Sequence, residues 1–260
     1  MGLEKKIRKQ NNGIIMMCVL IVLHTLILFF FCNYPKALET YGDELIYYSI
    51  ARNIWEGKVA EIHAVPFSFE NLAYSYLISP FFSITDSAFR ASVLTLFNCF
   101  LMSLIVIPVW LICKELNVCN RYRWYAIILM LIWPDMMNAA TLMSENLYWI
   151  LALCAIYFCI KSINSSEIRW VVLASIGSYL AYWCKVIGVC IALAYVAFYL
   201  FIPILNNLFC NKQNKMFDDN RKSKALNKDS FIFILIHKII PFIIIYSGMH
   251  LFFKKILFPA

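Results

Sequence analysis

Two adjacent carboxylates, Asp43 and Glu44, stand in a short polar stretch between the first two apolar segments of the chain. Apolar side chains then recur at helical spacing, which predicts an amphipathic helix lying on a membrane surface. These side chains are Ile46, Tyr47, Ile50, Ala51 and Ile54. Asp43 is suited to be the N-cap of this helix, and Gly57 is suited to end it. A carboxylate at this place can accept a proton from an attacking hydroxyl or amine. The alternative is a capping pair in a solvated loop, which needs no chemistry.

Three more charged residues, Asp135, Glu145 and Lys185, are expected at the same face of the membrane. Each has a local explanation, as a turn former, a helix cap or an interfacial lysine. Together with Asp43 and Glu44 they suggest a site where a lipid-borne substrate meets a water-borne one, since charges near the bilayer are costly. A lysine ammonium there stabilises the charge that builds on a departing phosphate. A divalent metal is compatible with these carboxylates, but no motif indicates one, and the cofactor is left unassigned.

The composition indicates a polytopic membrane protein. Of the 260 residues 62% are hydrophobic and only 15% are charged, a balance that soluble domains do not have. The net charge of +8 arises from basic residues in short connections, which favours a topology signal over nucleic-acid binding. The sequence contains neither a Walker loop nor a GxGxxG motif. The 10 cysteines form no CxxC pair, and we predict no disulfide framework among them.

The apolar segments predict an all-α protein with about seven transmembrane helices. The expected spans are about 13–32, 88–113, 121 to slightly past 134, 146–160, 170–183, 187–205 and a last one ending at 253. Basic residues fall in alternate connections, which places the N-terminus in the cytoplasm, the loop 34–90 outside and the basic loop 206–230 inside. A second semi-apolar stretch, 71–82, is too short to span and is expected to lie along the surface or over the first helix. His24 is expected to pack against another helix.

Several short motifs occur in an order that resembles the GT-C glycosyltransferases of the protein O-mannosyltransferase and aminoarabinose-transferase type. They cover about residues 10–205 and are Asp43-Glu44 followed by the stretch from Tyr47 to Gly57, then Ser79-Pro80, Arg90 through Asn98, Ser144-Glu145, and Gly177 through Lys185 to Gly188. Cys184 stands where the family usually has threonine. The resemblance implies a GT-C-like fold in a single transmembrane module, 1–260, in the cell membrane.

The same resemblance implies an activity and a set of site residues. The activity is transfer of a sugar from a polyprenyl-phosphate donor to an acceptor on the external face, with Asp43 as the catalytic base. Glu44, Arg90, Glu145 and Lys185 would line the substrate site. Family members usually continue into further spans and an external domain, so we expect a truncated or split relative of the family, with a second membrane subunit as a candidate partner.

The competing hypothesis is a non-catalytic membrane protein, either a partner subunit of a split transferase or a small transporter. A transporter is expected to place ionisable residues in the middle of the membrane, in paired or broken helices. Here the predicted spans are almost free of charge, and the charges gather at one face. This distribution favours the transferase.

Overall fold

The computed structural model describes residues 2–33, 42–62, 65–66, 72–213 and 234–257, and their regular secondary structure is helical apart from one pair of two-residue strands. The helices are α1 (Gly2–Cys32), α2 (Gly42–Trp55), α3 (Ala73–Ile78), α4 (Ser87–Ser103), α5 (Val106–Glu115), α6 (Asn120–Leu131), α7 (Glu145–Asn164), α8 (Ile168–Cys184), α9 (Val189–Gln213) and α10 (Ile240–Leu257). Strands β1 (Glu61–Ile62) and β2 (Val65–Pro66) pair antiparallel after α2. Three 3-10 segments, Ser79–Ser83, Pro134–Ala140 and Val186–Gly188, and a π-helical turn, Leu235–Ile239, complete the described structure.

Four helical stretches among the described residues are long and apolar enough to cross a membrane. They are Gly13–Cys32, Ser87–Glu115, Glu145–Asn164 and Leu235–Lys255, and Val186–Phe201 is a shorter apolar helix. The second stretch combines α4 and α5, which are separated only by a turn at Leu104 and Ile105. The all-helical prediction is therefore confirmed, and the four apolar stretches are consistent with a membrane protein, while the predicted number of seven spans stays a prediction.

Helices α2 and α3 form a surface layer together with the 3-10 segment Ser79–Ser83. The buried face of α2 carries Tyr47, Ile50 and Ala51, as the helical spacing predicts. Tyr47 and Ala51 share one core cluster with residues of α3, α4, α8 and the loop before α7, which are Ala73, Tyr74, Ile78, Leu94, Leu142 and Cys184. The stretch 71–82 was expected along the surface or over the first helix, and the structure packs its helical part on α2, α4 and α8.

The C-terminal end of α2 is as predicted from the sequence, whereas its N-terminal end is not. Gly57 has a φ of +69°, a left-handed conformation that suits glycine and ends α2 as predicted. Asp43 lies inside the first turn of α2, because the helix begins at Gly42, so the prediction that it is the N-cap is wrong. The carboxylate of Asp86 does act as an N-cap, since it accepts the backbone N–H of Phe89 at 2.8 Å and starts α4.

Helix α6 ends earlier than the sequence pattern predicts. The prediction continued the helix slightly past Pro134, but α6 ends at Leu131 and a 3-10 segment begins at Pro134. Proline lacks an N–H and disfavours a helical conformation in the residue before it, so the chain changes course at Trp133. The resulting α6 has 12 residues, or about 18 Å at 1.5 Å per residue.

The break between α8 and α9 occurs at Lys185, as predicted. Lys185 is extended, with φ −153° and ψ 129°, and its carbonyl accepts the N–H of Gly188 at 2.8 Å. A Cβ at Gly188 would lie only 2.4 Å from the backbone carbon of Ala181 and from the nitrogen of Tyr182. Only glycine fits this approach without a backbone shift, and the shift would move Lys185.

Replacing Gly188 by alanine is therefore expected to destabilise the protein by about 1–3 kcal/mol, the usual cost of overpacking. Thermal unfolding of purified protein in detergent measures this loss. Gly248→Ala is the matched control, because a Cβ at Gly248 meets nothing within 4 Å. Equal melting temperatures for the two variants would contradict the tight approach at Gly188.

The opposite end of the bundle is held by polar contacts at the C-terminus of α7. Lys238 is buried and donates to the carbonyls of Ser162 at 2.6 Å and Ser165 at 2.5 Å. Lys161 pairs with Glu115 at 2.7 Å. Part of the predicted loop 206–230 is helical, since α9 extends to Gln213, and positions 214–230 lie outside the described residues.

His24 is a packing residue, as predicted. Its ring nitrogens lie 2.8 Å from the hydroxyl of Ser103 on α4 and 3.0 Å from the carbonyl of Leu131 on α6. The histidine thus joins α1 to two other helices inside the bundle.

Candidate functional site

Three segments that are far apart in sequence meet at the head of the bundle: the first turn of α2, the loop into α7, and the end of α8. Glu44 is only 6% exposed, and its carboxylate accepts the backbone N–H of Leu142 at 2.7 Å. One turn further along α2, the hydroxyl of Tyr47 donates to the hydroxyl oxygen of Ser144 at 2.9 Å. These two contacts fix the carboxylate end of α2 against the start of α7.

Lys185 joins the same group through Glu145. Its ammonium forms an ion pair with the Glu145 carboxylate, which also accepts the Ser144 hydroxyl at 3.3 Å. The thiol of Cys184 donates to the Ser144 carbonyl at 3.4 Å, so the residue before Lys185 is held by the same loop. Glu145 is the first residue of α7, where the helix N-terminus favours a negative charge.

Asp43 is exposed, whereas its neighbour Glu44 is buried and hydrogen-bonded. Its side chain is exposed, and it has no hydrogen bond or ion pair with any residue that the structure describes. Burial raises the pKa of Tyr47 to about 12, and the charges of Glu145 and Asp43 add to that rise, while the bond to Ser144 opposes it. Tyr47 is therefore neutral at physiological pH and remains a hydrogen-bond donor. Asp43 is the carboxylate of this site that is open to solvent.

The side chains of Tyr74, Asn98 and Asn146 form a buried polar network with the carbonyl of Thr141, and the sequence analysis did not predict this network. The hydroxyl of Tyr74 donates to the Asn98 side-chain oxygen at 2.9 Å, and burial raises the pKa of Tyr74. The amides of Asn98 and Asn146 both donate to the carbonyl of Thr141, at 3.1 and 2.8 Å. Because Thr141 precedes Leu142, this network orients the N–H that Glu44 accepts. Asn98 belongs to a motif noted in the sequence, whereas nothing in the local sequence singled out Tyr74.

Arg90 and Asp135 were also expected at this face of the membrane, but neither joins the group formed by Glu44, Glu145 and Lys185. Arg90 donates to the Tyr48 hydroxyl at 2.7 Å and to the Ile84 carbonyl at 2.8 Å, with its guanidinium over the ring of Phe82. Its donors therefore join α2 to the start of α4. Asp135 lies in the first turn of a 3-10 segment, and it has no hydrogen bond or ion pair with the described part of the chain.

The site contains a solvent-exposed carboxylate, Asp43, and a buried, hydrogen-bonded carboxylate, Glu44. It also contains the ammonium of Lys185, whose charge is balanced by the carboxylate of Glu145. An exposed carboxylate can take a proton, and a half-exposed ammonium can bind an anion. In the described ranges, no group of three or more His, Cys, Asp or Glu side chains is placed to hold a metal ion. Searches of family models, curated proteins and solved structures found no match to this chain.

Proposed function

We propose that this protein is an integral-membrane glycosyltransferase, or a subunit of one, that transfers a sugar from a polyprenyl-phosphate donor to an acceptor at the external face of the membrane. The observation that carries the proposal is that Glu44 and Lys185 both contact the start of α7, at Leu142 and Glu145, and that the exposed Asp43 directly precedes Glu44. The charged residues among these come from three distant segments, and all belong to motifs that resemble those of the GT-C transferases.

In the proposed reaction Asp43 acts as the base and Lys185 contacts the departing phosphate. Asp43 accepts the proton of the acceptor hydroxyl, whose oxygen attacks the anomeric carbon of the donor sugar. The bond from that carbon to the phosphate oxygen breaks with inversion, and the polyprenyl phosphate leaves with the bonding electrons. Lys185 stabilises the charge that develops on this phosphate. The lipid tail remains in the bilayer throughout.

The proposal includes a topology of seven spans in a GT-C-like arrangement, with a cytoplasmic N-terminus, in the cell membrane. The basic loop 206–230 and the basic N-terminus support this orientation, because basic residues favour the cytoplasmic side. Helices α6, α8 and α9 would be the three spans beyond the four that length and composition identify.

Single cysteines introduced at Ser68 and Asn214, positions outside the described residues, are expected to label differently from the external side. A membrane-impermeant maleimide added to intact cells should modify Ser68→Cys, whereas Asn214→Cys should react only after permeabilisation. The parent protein provides the background from its native cysteines. Equal external labelling of both positions would contradict the topology.

The direct test of the activity is a transfer assay in proteoliposomes. Polyprenyl-phosphate donors that carry a radiolabelled hexose or aminopentose are supplied with membrane lipids and glycans as acceptors. The expected result is label in a new product together with release of polyprenyl phosphate. If the folded protein releases polyprenyl phosphate from none of the donors, it is not a transferase that acts alone.

One observation favours the alternative of a non-catalytic partner subunit. Lys185 and Glu44 both have partners within the protein, as residues with a purely structural role would. A second membrane chain would then supply the missing part of the site. Transfer that begins only when a second chain is reconstituted with this one would support that alternative.

A further inference from the structure

A continuous chain of hydrogen bonds connects surface helix α2 to Lys185 through the first residues of α7. The hydroxyl of Tyr47 donates to the hydroxyl oxygen of Ser144 at 2.9 Å. The hydroxyl of Ser144 donates to one oxygen of the Glu145 carboxylate at 3.3 Å, and the ammonium of Lys185 donates to the other oxygen. A serine hydroxyl has one proton, and because Ser144 accepts from Tyr47, that proton is directed to Glu145.

The Ser144 hydroxyl serves this chain instead of the role that its position in the helix favours. Ser144 directly precedes α7, where a serine side chain usually accepts an N–H of the first helical turn. The structure has no such capping bond from its side chain, although its carbonyl accepts the N–H of Tyr148 at 2.8 Å and starts the helix. The hydroxyl is therefore used for the link between Tyr47 and Glu145.

Tyr47 is held in place from two sides. Its ring lies edge-on to the ring of Tyr74, with the centroids 5.6 Å apart, and its carbonyl accepts the hydroxyl of Ser75 at 3.3 Å. Tyr47 and Ser144 are both buried. Their hydroxyls are thus already ordered, so that no free energy is needed to order them when a ligand binds to Lys185.

We infer that Tyr47 is a positioning residue for the lipid phosphate, and that it acts on Lys185 through Ser144 and Glu145. The inference rests on the proposed function, in which the Lys185 ammonium contacts the departing phosphate. When the ammonium turns to the phosphate, the Glu145 carboxylate loses its ion-pair partner, which is costly near a bilayer. The Ser144 hydroxyl, polarised by the bond from Tyr47, still donates to Glu145 and lowers the cost of this exchange.

The chain also links the two charges of the proposed reaction to the position of one helix. Tyr47 lies one turn after Asp43 on α2, and Glu44 on the same helix accepts the N–H of Leu142. Helix α2 therefore carries the proposed base and, through Tyr47, supports the carboxylate that holds Lys185. A displacement of α2 from the start of α7 would affect both charges together.

The test is the binding of radiolabelled polyprenyl phosphate to the purified full-length protein, with the melting temperature followed in parallel. Tyr47→Phe removes only the hydroxyl and should weaken binding by about twofold to tenfold, the range of one hydrogen bond. Ser144→Ala should weaken binding at least as much, and the double variant Tyr47→Phe/Ser144→Ala no more than Ser144→Ala alone. Tyr195→Phe is the matched control and should bind as the wild-type protein does, because Tyr195 is a buried tyrosine of α9 whose hydroxyl lies 2.9 Å from that of Ser162 at the opposite end of the bundle.

The same substitution in a Glu145→Gln background separates positioning from a purely structural role. Glutamine has no charge that needs support when the ammonium leaves, so Tyr47→Phe should leave lipid binding unchanged in this background. An equal loss of binding in both backgrounds would overturn the inference, as would wild-type binding by Tyr47→Phe alone. If Tyr47→Phe does not fold, Ser144→Ala compared in the two backgrounds decides.

Lys185→Gln distinguishes a failure of this inference from a failure of the proposed function. If Lys185→Gln binds polyprenyl phosphate as the wild-type protein does, the proposed phosphate contact is wrong, and the inference fails with it. If Lys185→Gln loses binding while Tyr47→Phe and Ser144→Ala retain it, only the role of Tyr47 is wrong.

Discussion

Replacing Asp43 by asparagine is expected to abolish sugar transfer while leaving the fold and donor binding intact. Asparagine has the size of aspartate, and Asp43 is exposed with no hydrogen bond to any described residue, so little structure depends on its charge. The substitution removes the ability to accept a proton from the acceptor, and a positioned base contributes roughly 10²–10⁴-fold to the rate. The measurement is transfer from a radiolabelled polyprenyl-phosphate sugar in proteoliposomes, with the melting temperature followed in parallel.

Glu44→Gln is the matched control for this prediction. Glutamine can still accept the N–H of Leu142 through its side-chain oxygen, so the contact between α2 and the loop before α7 is retained. Transfer by Glu44→Gln should therefore fall less than transfer by Asp43→Asn. A wild-type rate in Asp43→Asn would place the chemistry elsewhere or indicate that Asp43 only stabilises the start of α2.

The local features of the fold could be predicted well from the sequence. The spacing of Tyr47, Ile50 and Ala51 gave the buried face of α2, because side chains three and four residues apart share one side of a helix. Gly57 and Lys185 marked breaks that the structure has, since a left-handed turn and an extended residue both end a helix. Pro134 was identified as well, but its effect on the end of α6 was underestimated.

The contacts that build the candidate site could not be predicted from the sequence. Glu44 and Leu142 are 98 positions apart, and which backbone N–H a buried carboxylate accepts depends on how α2 lies on the bundle. Ser144 was noted only as the residue before Glu145, yet it contacts Tyr47, Glu145 and Cys184. The resemblance implied that Arg90 lines the substrate site. In the structure its guanidinium instead donates to the Tyr48 hydroxyl and lies over the ring of Phe82.

Replacing Lys185 by glutamine is expected to weaken the binding of polyprenyl phosphate by about tenfold to a hundredfold. A hydrogen bond to a charged group contributes roughly 1.5–3 kcal/mol, and about 1.4 kcal/mol corresponds to a factor of ten. The Lys185 side chain is 38% exposed, so an anion can reach the ammonium although Glu145 pairs with it. Binding of radiolabelled polyprenyl phosphate to purified protein measures the effect without requiring turnover.

Glu145→Gln separates an anion-binding role from a purely structural one. This variant retains an acceptor for Ser144 and Lys185 but removes the negative charge that competes with phosphate for the ammonium. If Lys185 binds the donor, Glu145→Gln should bind polyprenyl phosphate as tightly as the wild-type protein or more tightly, in contrast to Lys185→Gln. If the ion pair only stabilises the break between α8 and α9, both variants should lower the melting temperature alike and neither should change lipid binding. A matched loss of binding in the two variants would likewise contradict the role of Lys185 as a phosphate contact.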